Sequence, residues 1–513
     1  MATRTEQAAG GTAAKVELNG INVISESERK GTPRALFWPW FASNISILAV
    51  SYGSFLLGFS ISFWQAVIFG TIGIVFSFLL CGLVALAGKR ASAPTLVVSR
   101  AIFGVTGNRV PTAVSWVLTV GWEVFLTTIA TLATATVFDR LGWGGGTETK
   151  VIALVVVAAL IVAAGVAGFD VIMRLQAVIT VVTAVLTVFY IVLVLDEIHW
   201  SNVSALPSGS NQQVLGGLVF MMTGFGLGWV NVAADYSRYL PRSASSGGVV
   251  GWTTVGAAVA PVGLVIFGLL LAGSSTSLNG AINRDPIGAL TTVLPTWFLV
   301  PFVIVAVLGL VGGAVLDIYS SGLALLTLGV PIPRWSAALV DGLIMTAGTI
   351  YIVFHSGSFL GVFTGFLITL GVPIAAWCGM FLADLALRRR GYAEGDFYDP
   401  HGRYGAGRLV PVHILYVATA VGWGLVTNTF ADWLDWQGYL LGPVGLGGRN
   451  GAWAYANLGV LVALGIGFVG QLILGYPAVR AQERRSDVPE RGDDVPERGD
   501  DVPERGDDSA RIP

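Results

Sequence analysis

Two carboxylates stand deep inside apolar runs long enough to cross a bilayer: Glu123 in Val120-Gly121-Trp122-Glu123, and Asp317 in Leu316-Asp317-Ile318-Tyr319-Ser320-Ser321. An unpaired charge at such depth costs at least several kcal/mol, so an intramembrane carboxylate is a functional candidate by default. Desolvation moves a carboxylic acid toward neutrality, which lets it load and release a proton as its surroundings change. The competing reading is a carboxylate hydrogen-bonded to a neighbouring helix. Asp235 and Arg238 are three residues apart and can pair on one helix face, as an interfacial ion pair. Asp384, shortly before Arg388, reads the same way, while Asp341 and His355 fall near span ends and receive no role.

Other chemistries lack residues to carry them. The chain has four histidines, none of them mid-span, with no His/Glu zinc spacing and no Ser/His pairing, so it is not expected to be an enzyme or to need a cofactor. A channel needs a ring of like groups or a pore-lining repeat, and neither is present. Cys81 and Cys378 both lie in apolar runs, which argues against a disulfide framework. A net charge of −2 points to no nucleic-acid partner.

The elements that must hold these residues are membrane helices. Only 12% of the residues are charged and 54% are hydrophobic, too few charges for a water-exposed surface. Taking about 20 apolar residues per crossing, twelve spans are expected: 36–58, 63–88, 110–138, 151–169, 171–195, 214–240, 249–272, 297–328, 337–354, 359–387, 410–430 and 454–476. The turn between the fourth and fifth is marked only by Asp170 and Arg174. The resulting organisation is a cytoplasmic arm over 1–34, a twelve-span domain over 35–478 and a disordered tail over 479–513. In the tail the heptad Asp-Val-Pro-Glu-Arg-Gly-Asp occurs three times from Asp487, and its prolines forbid a continuous helix.

Orientation follows from the basic residues. With the N-terminus inside, Arg140, Lys150, Arg284 and Arg449 lie outside and the other 25 of the 29 Lys and Arg lie inside. Both termini are therefore expected in the cytoplasm and the protein in the plasma membrane, surrounded by lipid. Two spans carry interruptions. The first contains Ser43-Asn44-Ile45-Ser46, followed by Ser51-Tyr52-Gly53-Ser54; the sixth contains Thr223-Gly224-Phe225-Gly226-Leu227-Gly228-Trp229. Broken helices are tolerated in hydrocarbon only where the freed backbone lines a cavity or meets a ligand. Five spans separate the two interruptions, the spacing of a five-plus-five inverted repeat. Close helix packing is the competing explanation, although glycines at i, i+2 and i+4 fall on different faces.

Taken together, Glu28-Arg29-Lys30 through Trp40-Phe41-Ala42-Ser43-Asn44, the pair Gly121-Trp122, the stretch Gly228-Trp229 through Ala233-Ala234-Asp235-Tyr236 with Pro241, and Tyr319-Ser320-Ser321-Gly322-Leu323 resemble the purine-cytosine permeases of the nucleobase:cation symporter family. The resemblance spans Glu28 to Tyr476. It implies an all-α, leucine-transporter-like fold of twelve transmembrane helices, with five-plus-five inverted repeats and two extra C-terminal helices. It also implies a symporter, working as a monomer, that imports a nucleobase-like solute with a cation by alternating access. Fungal members carry asparagines in the eighth span where this chain has Gly312-Gly313-Ala314. A sodium site of this fold lies between the first and eighth spans, which implicates the backbone of Ala42 and Ile45 with Ser320 and Ser321; a proton would instead use Glu123 and Asp317 and is the preferred coupling ion.

A planar uncharged heterocycle is held by stacking and by hydrogen bonds along its edge. Trp122, Trp229 and Phe225 supply faces beside Gly228, while Glu123 and Asn44 supply edge contacts. The alternative is a symporter of the same fold for allantoin or hydantoin, a vitamin-like heterocycle, an amino acid or a betaine.

Overall fold

The computed structural model describes residues 20–355, 359–428 and 432–484. The start of the arm and the tail with its heptad copies lie outside the described residues. Helix is the regular secondary structure throughout the described residues. Among them, nine helices are long and apolar enough to cross a bilayer, two further spans are bent helix pairs, and the shorter apolar Leu409–Gly424 takes the eleventh place. The order is that of the twelve expected spans.

Local sequence sets the helix ends. The second span, Phe63–Ala91, opens on a capping box: the Ser62 hydroxyl accepts from Gln65 N and the Gln65 side chain accepts from Ser62 N. Ser210 and Gln213 repeat the device at Asn211–Gly224, the first part of the sixth span. Each box satisfies two of the backbone donors that a helix start leaves free. The fourth span, Thr147–Ala167, and the fifth, Phe169–Leu193, are separated by Gly168 alone, whose φ of +92° suits glycine.

Both expected interruptions are present, with one difference of extent. The first span is split into Phe37–Asn44 and Leu48–Leu57, bent by 66°. Ser51 to Ser54, expected to be part of the break, are helical. The glycine among them serves packing instead: a Cβ on Gly53 would lie 2.4 Å from the backbone of Gly268 in the seventh span, Ser246–Ser274. The sixth span leaves α geometry at Phe225 (φ −123°, ψ −106°), passes through two 3-10 turns, Gly226–Gly228 and Val230–Val232, and resumes at Ala233–Ser237. Its three glycines face three neighbours: Gly224 meets Tyr52, Gly226 meets the Ser77 backbone and Gly228 meets Trp122. No single packing stripe accounts for them.

The sixth span is the inner column, with 89% of its apolar window buried, against 33% for both the fifth span and the ninth, Arg334–His355. Exposed Val178, Val181 and Leu343 on those outer helices form a lipid-facing surface. At one end of the bundle, segments far apart in sequence close on one another. Ile24 N donates to Ser92 O, Lys30 N to Tyr239 O and Arg408 N to Phe103 O, while the Tyr398 hydroxyl donates to Ile21 O. The arm and the segments after the second, sixth and tenth spans therefore share one face, as the charge distribution requires.

Candidate functional site

Where the two broken helices cross, a small cavity is lined by Ser43, Asn44, Ser46, Tyr52, Trp122, Leu126, Gly224, Phe225, Trp229 and Gly313 among others. The first, third, sixth and eighth spans all contribute; the third is Arg109–Arg140 and the eighth is Leu299–Thr327. Of the expected substrate residues, the structure brings Asn44, Trp122, Phe225 and Trp229 together here, with Gly228 behind Trp122. Trp229 is held edge-on by Trp40, with ring centroids 5.7 Å apart. Trp122 meets Phe363 of the tenth span, Phe359–Leu387, at 5.3 Å. Asn44 Nδ2 donates to Trp40 O at 2.8 Å and to Ser43 Oγ at 3.0 Å, which leaves Oδ1 as its acceptor. The Trp122 indole N–H has no partner in the structure. The cavity thus offers aromatic rings and the Asn44 amide, with no charged residue among the described residues that line it, and the unpartnered Trp122 N–H is buried next to Gly228.

The cavity has a roof and a floor. Above it Tyr52 packs on Phe225 at 4.7 Å and on Phe220 at 5.6 Å, and beyond them opens a vestibule of ≈ 700 Å³ lined by Phe55, Phe59, Gln213, Asn283, Thr364 and Tyr455 among others. Below it Trp40 packs on Tyr236 at 5.5 Å. The Tyr236 hydroxyl donates to Leu316 O at 2.8 Å, and Arg238 donates to Tyr319 Oη at 2.9 Å and to Gly20 O at 2.8 Å. The structure is therefore closed toward the arm, with a thin aromatic roof toward the vestibule.

Glu123 is not where the edge contact was expected. It is fully buried, but it does not line the cavity. Adjacent residues on an α-helix point about 100° apart, so Trp122 faces the cavity while Glu123 faces the eighth and ninth spans, where Ser321, Asp317 and Asp341 surround it. Neither oxygen of Glu123 or of Asp317 has a hydrogen-bond partner, and the Ser321 hydroxyl approaches Glu123 without closing a bond of ordinary geometry.

The sodium cradle drawn from Ala42, Ile45, Ser320 and Ser321 is not assembled. The carbonyl oxygens of Ala42, Ser43 and Ile45 face Gly312, Gly313 and Gly309, which carry no side-chain oxygen. Ser320 lies eight residues beyond Gly312, about 12 Å along the helix. Its hydroxyl is bonded to Tyr236 Oη at 3.0 Å, and Ser321 Oγ donates to Ile318 O at 3.3 Å on the side of Glu123.

Several residues at the site carried no clear signal in the sequence. Tyr52, expected within the break, is helical and forms the roof. Gln176 of the fifth span donates to Gly312 O at 2.7 Å, and its Oε1 is buried without a partner. Asp341, placed near a span end, is fully buried and accepts from Trp116 Nε1 at 2.9 Å. Asp235 accepts from Thr95 N and Oγ1, both at 2.8 Å, so it fastens the segment after the second span rather than forming a simple surface pair. Asp384 pairs with Arg388 as expected, at 2.6 Å.

A family model described as permease for cytosine/purines, uracil, thiamine, allantoin matches residues 23–441. YxlA of Bacillus subtilis (strain 168), which carries a purine-cytosine permease name, is 24% identical over 402 residues, 76% of this chain and 84% of that one. Among solved structures, Mhp1, a nucleobase-cation-symport-1 family transporter in a closed conformation with bromovinylhydantoin bound, matches with a TM-score of 0.66 at 18% identity, covering 92% of this chain and 97% of that one. The inward-facing form of Mhp1 matches at 0.63 and 19% identity, with 92% and 96% covered. A manganese transporter of Eremococcus coleocola matches at 0.51 and 14%, with 91% and 99% covered. The fold is the leucine-transporter-like inverted repeat.

Proposed function

The chain belongs to the family of permeases for cytosine/purines, uracil, thiamine and allantoin, and we propose that it is a symporter that imports an uncharged, planar nucleobase or related heterocycle together with a proton. One observation carries the substrate class: the cavity between the broken helices sets the Trp122 and Trp229 rings beside the Asn44 amide, and in this reading the unpartnered Trp122 N–H is the donor that meets the substrate. A donor beside an acceptor matches the amide-like edge of a lactam ring, in which C=O neighbours N–H. The hydantoin bound in Mhp1 is a ring of that kind. A competition panel tests the reading: cytosine, uracil, purines, allantoin and hydantoins compete for uptake, whereas amino acids and betaines do not.

The proton is preferred because unpaired carboxylates are buried beside the cavity, while the carbonyls at the first break face glycines. In this reading the carboxylates bind protons while the vestibule is open and release them when the arm side opens. A sodium-driven cycle is the second reading, favoured by Gln176: its unpartnered Oε1 lies 3.5 Å from where a Cβ of Gly312 would stand, with Ala42 O at 3.0 Å from the same point. Hard cations favour such oxygens. The protein acts as a monomer in the plasma membrane with both described ends in the cytoplasm.

A further inference from the structure

Behind the substrate cavity, the third, eighth and ninth spans bring three carboxylates and one hydroxyl into a single buried row. Glu123, Asp317, Ser321 and Asp341 are each at most 1% exposed. Trp116 precedes Glu123 by seven residues, two helical turns, so both point from the same face of the third span about 10 Å apart in height. Asp317 and Ser321 are i and i+4 on the facing side of the eighth. Trp116 Nε1 holds Asp341 Oδ1 at 2.9 Å and leaves Oδ2 without a partner. The Ser321 hydroxyl faces both Glu123 and Asp341.

Among the described residues, the side chains that face the row bring no counter-charge. The third span presents Trp116 and Glu123 to Asp341, the eighth presents Ser321 and Asp317, and the fourth presents apolar Val162 beside Gly342. Arg334, at the start of the ninth span, donates to the Gly165 and Val166 carbonyls at 2.8 Å. Ionised carboxylates without a cation are costly in such a place, which suits the row to carrying protons. The unpartnered oxygens of Glu123 and Asp341 are the positions between which one can move.

We propose that Asp341 is the inner station of a proton path that runs from Glu123 through Ser321 toward the Arg109 and Arg334 end of the bundle, separate from the substrate cavity. The inference rests on the proton-coupled reading above. In the transfer, the Glu123 O–H bond breaks and its proton joins the Ser321 oxygen. The Ser321 hydroxyl, turned away from Ile318 O, gives its own proton to Asp341 Oδ2, so one proton moves and the hydroxyl is restored. Trp116 is the positioning residue: by holding Oδ1 it keeps Oδ2 toward Ser321.

The test separates coupling from binding, using the full chain in proteoliposomes without sodium and radiolabelled cytosine or whichever base the competition panel identifies. In Asp341→Asn, which retains an acceptor for Trp116, exchange of labelled for unlabelled substrate persists, while the initial rate of uptake driven by a pH gradient falls by on the order of a hundredfold, the scale of a lost positioned proton carrier, and accumulation falls to the equilibrium level. Ser321→Ala gives the same split and Ser321→Thr restores accumulation. Trp116→Phe, which leaves every carboxylate in place, shifts the pH profile of accumulation. Should Asp341→Asn not reach the membrane, Ser321→Ala and Trp116→Phe carry the test. Undiminished pH-driven accumulation in the Asp341 and Ser321 variants overturns the path while leaving proton coupling intact. Parallel loss of exchange and accumulation in an abundant protein assigns the row a structural role and also overturns it. If the unaltered protein ignores the pH gradient, proton coupling itself fails and the path falls with it.

Discussion

A Cβ on Gly228 would stand 3.0 Å from the Trp122 indole nitrogen, so the glycine at the sixth span's break is what lets the third span's ring lie against it. That contact is with the edge of a side chain, which can give by a few tenths of an ångström. At Gly226 the corresponding atom would stand 2.2 Å from the Ser77 carbonyl carbon, in backbone that has no such freedom. Gly228→Ala is therefore expected to insert normally and to bind substrate about 1 to 3 kcal/mol more weakly, the usual range for overpacking. Gly226→Ala is expected to fail at the level of membrane abundance. Affinity by competition and abundance by immunoblot distinguish the two; equal abundance and equal affinity would contradict the packing argument.

Stacking predicts a graded series at the cavity. Trp229→Ala and Trp122→Ala each lose about 1 to 3 kcal/mol of binding, as aromatic platforms for bases do, and the Phe variants retain more. On the proposed edge contact, Trp122→Phe also removes the unpartnered indole N–H, so it loses more than Trp229→Phe for a base with a carbonyl edge. If Ala and Phe behave alike at Trp229, no ring stacks there.

Topology is testable with single cysteines on a background lacking Cys81 and Cys378. Glu148, Ser277 and His401 are exposed in the structure. Impermeant thiol reagents added to intact cells label the cysteines at 148 and 277 and spare the one at 401. Labelling at 401 from outside reverses the assignment of the cytoplasmic face.

The floor of the cavity predicts unequal effects from two arginines. Arg238 is fully buried and donates to Tyr319 Oη at 2.9 Å; a hydrogen bond to a charged group is worth about 1.5 to 3 kcal/mol. Arg242 is half exposed where it meets Glu394, and exposed pairs contribute about 1 kcal/mol or less. Tyr319→Phe is therefore expected to raise access of thiol reagents to the arm side of the cavity in inverted vesicles, and Glu394→Gln to leave it nearly unchanged. The opposite order would place the closing contact at the surface.

The fold was legible where chemistry leaves a local mark. Gly-rich and polar interruptions in otherwise apolar spans fell at the two true breaks, and the alternating glycines of the sixth span did prove to serve three faces. What escaped were relations of height and azimuth between helices. Trp122 and Glu123 are neighbours in sequence yet face different partners, because one residue turns the helix by about 100°. Ser320 and Ser321 are in the span expected for a cation site but lie below the carbonyls of the first break. Asp341 lies seven residues into its span from Arg334, which reads as close to water until the Trp116 side chain is seen closing over it. Nothing in a single sequence reports which helix packs across from which.

The central claim is that a proton drives this carrier, and purified protein in sodium-free proteoliposomes tests it most directly. With the interior alkaline, labelled base accumulates above its equilibrium level, a protonophore collapses the accumulation, and Glu123→Gln and Asp317→Asn abolish it while substrate still binds. Accumulation that ignores the pH gradient, survives the protonophore and appears only when a sodium gradient is imposed would contradict the account and direct attention to Ala42, Ile45 and Gln176.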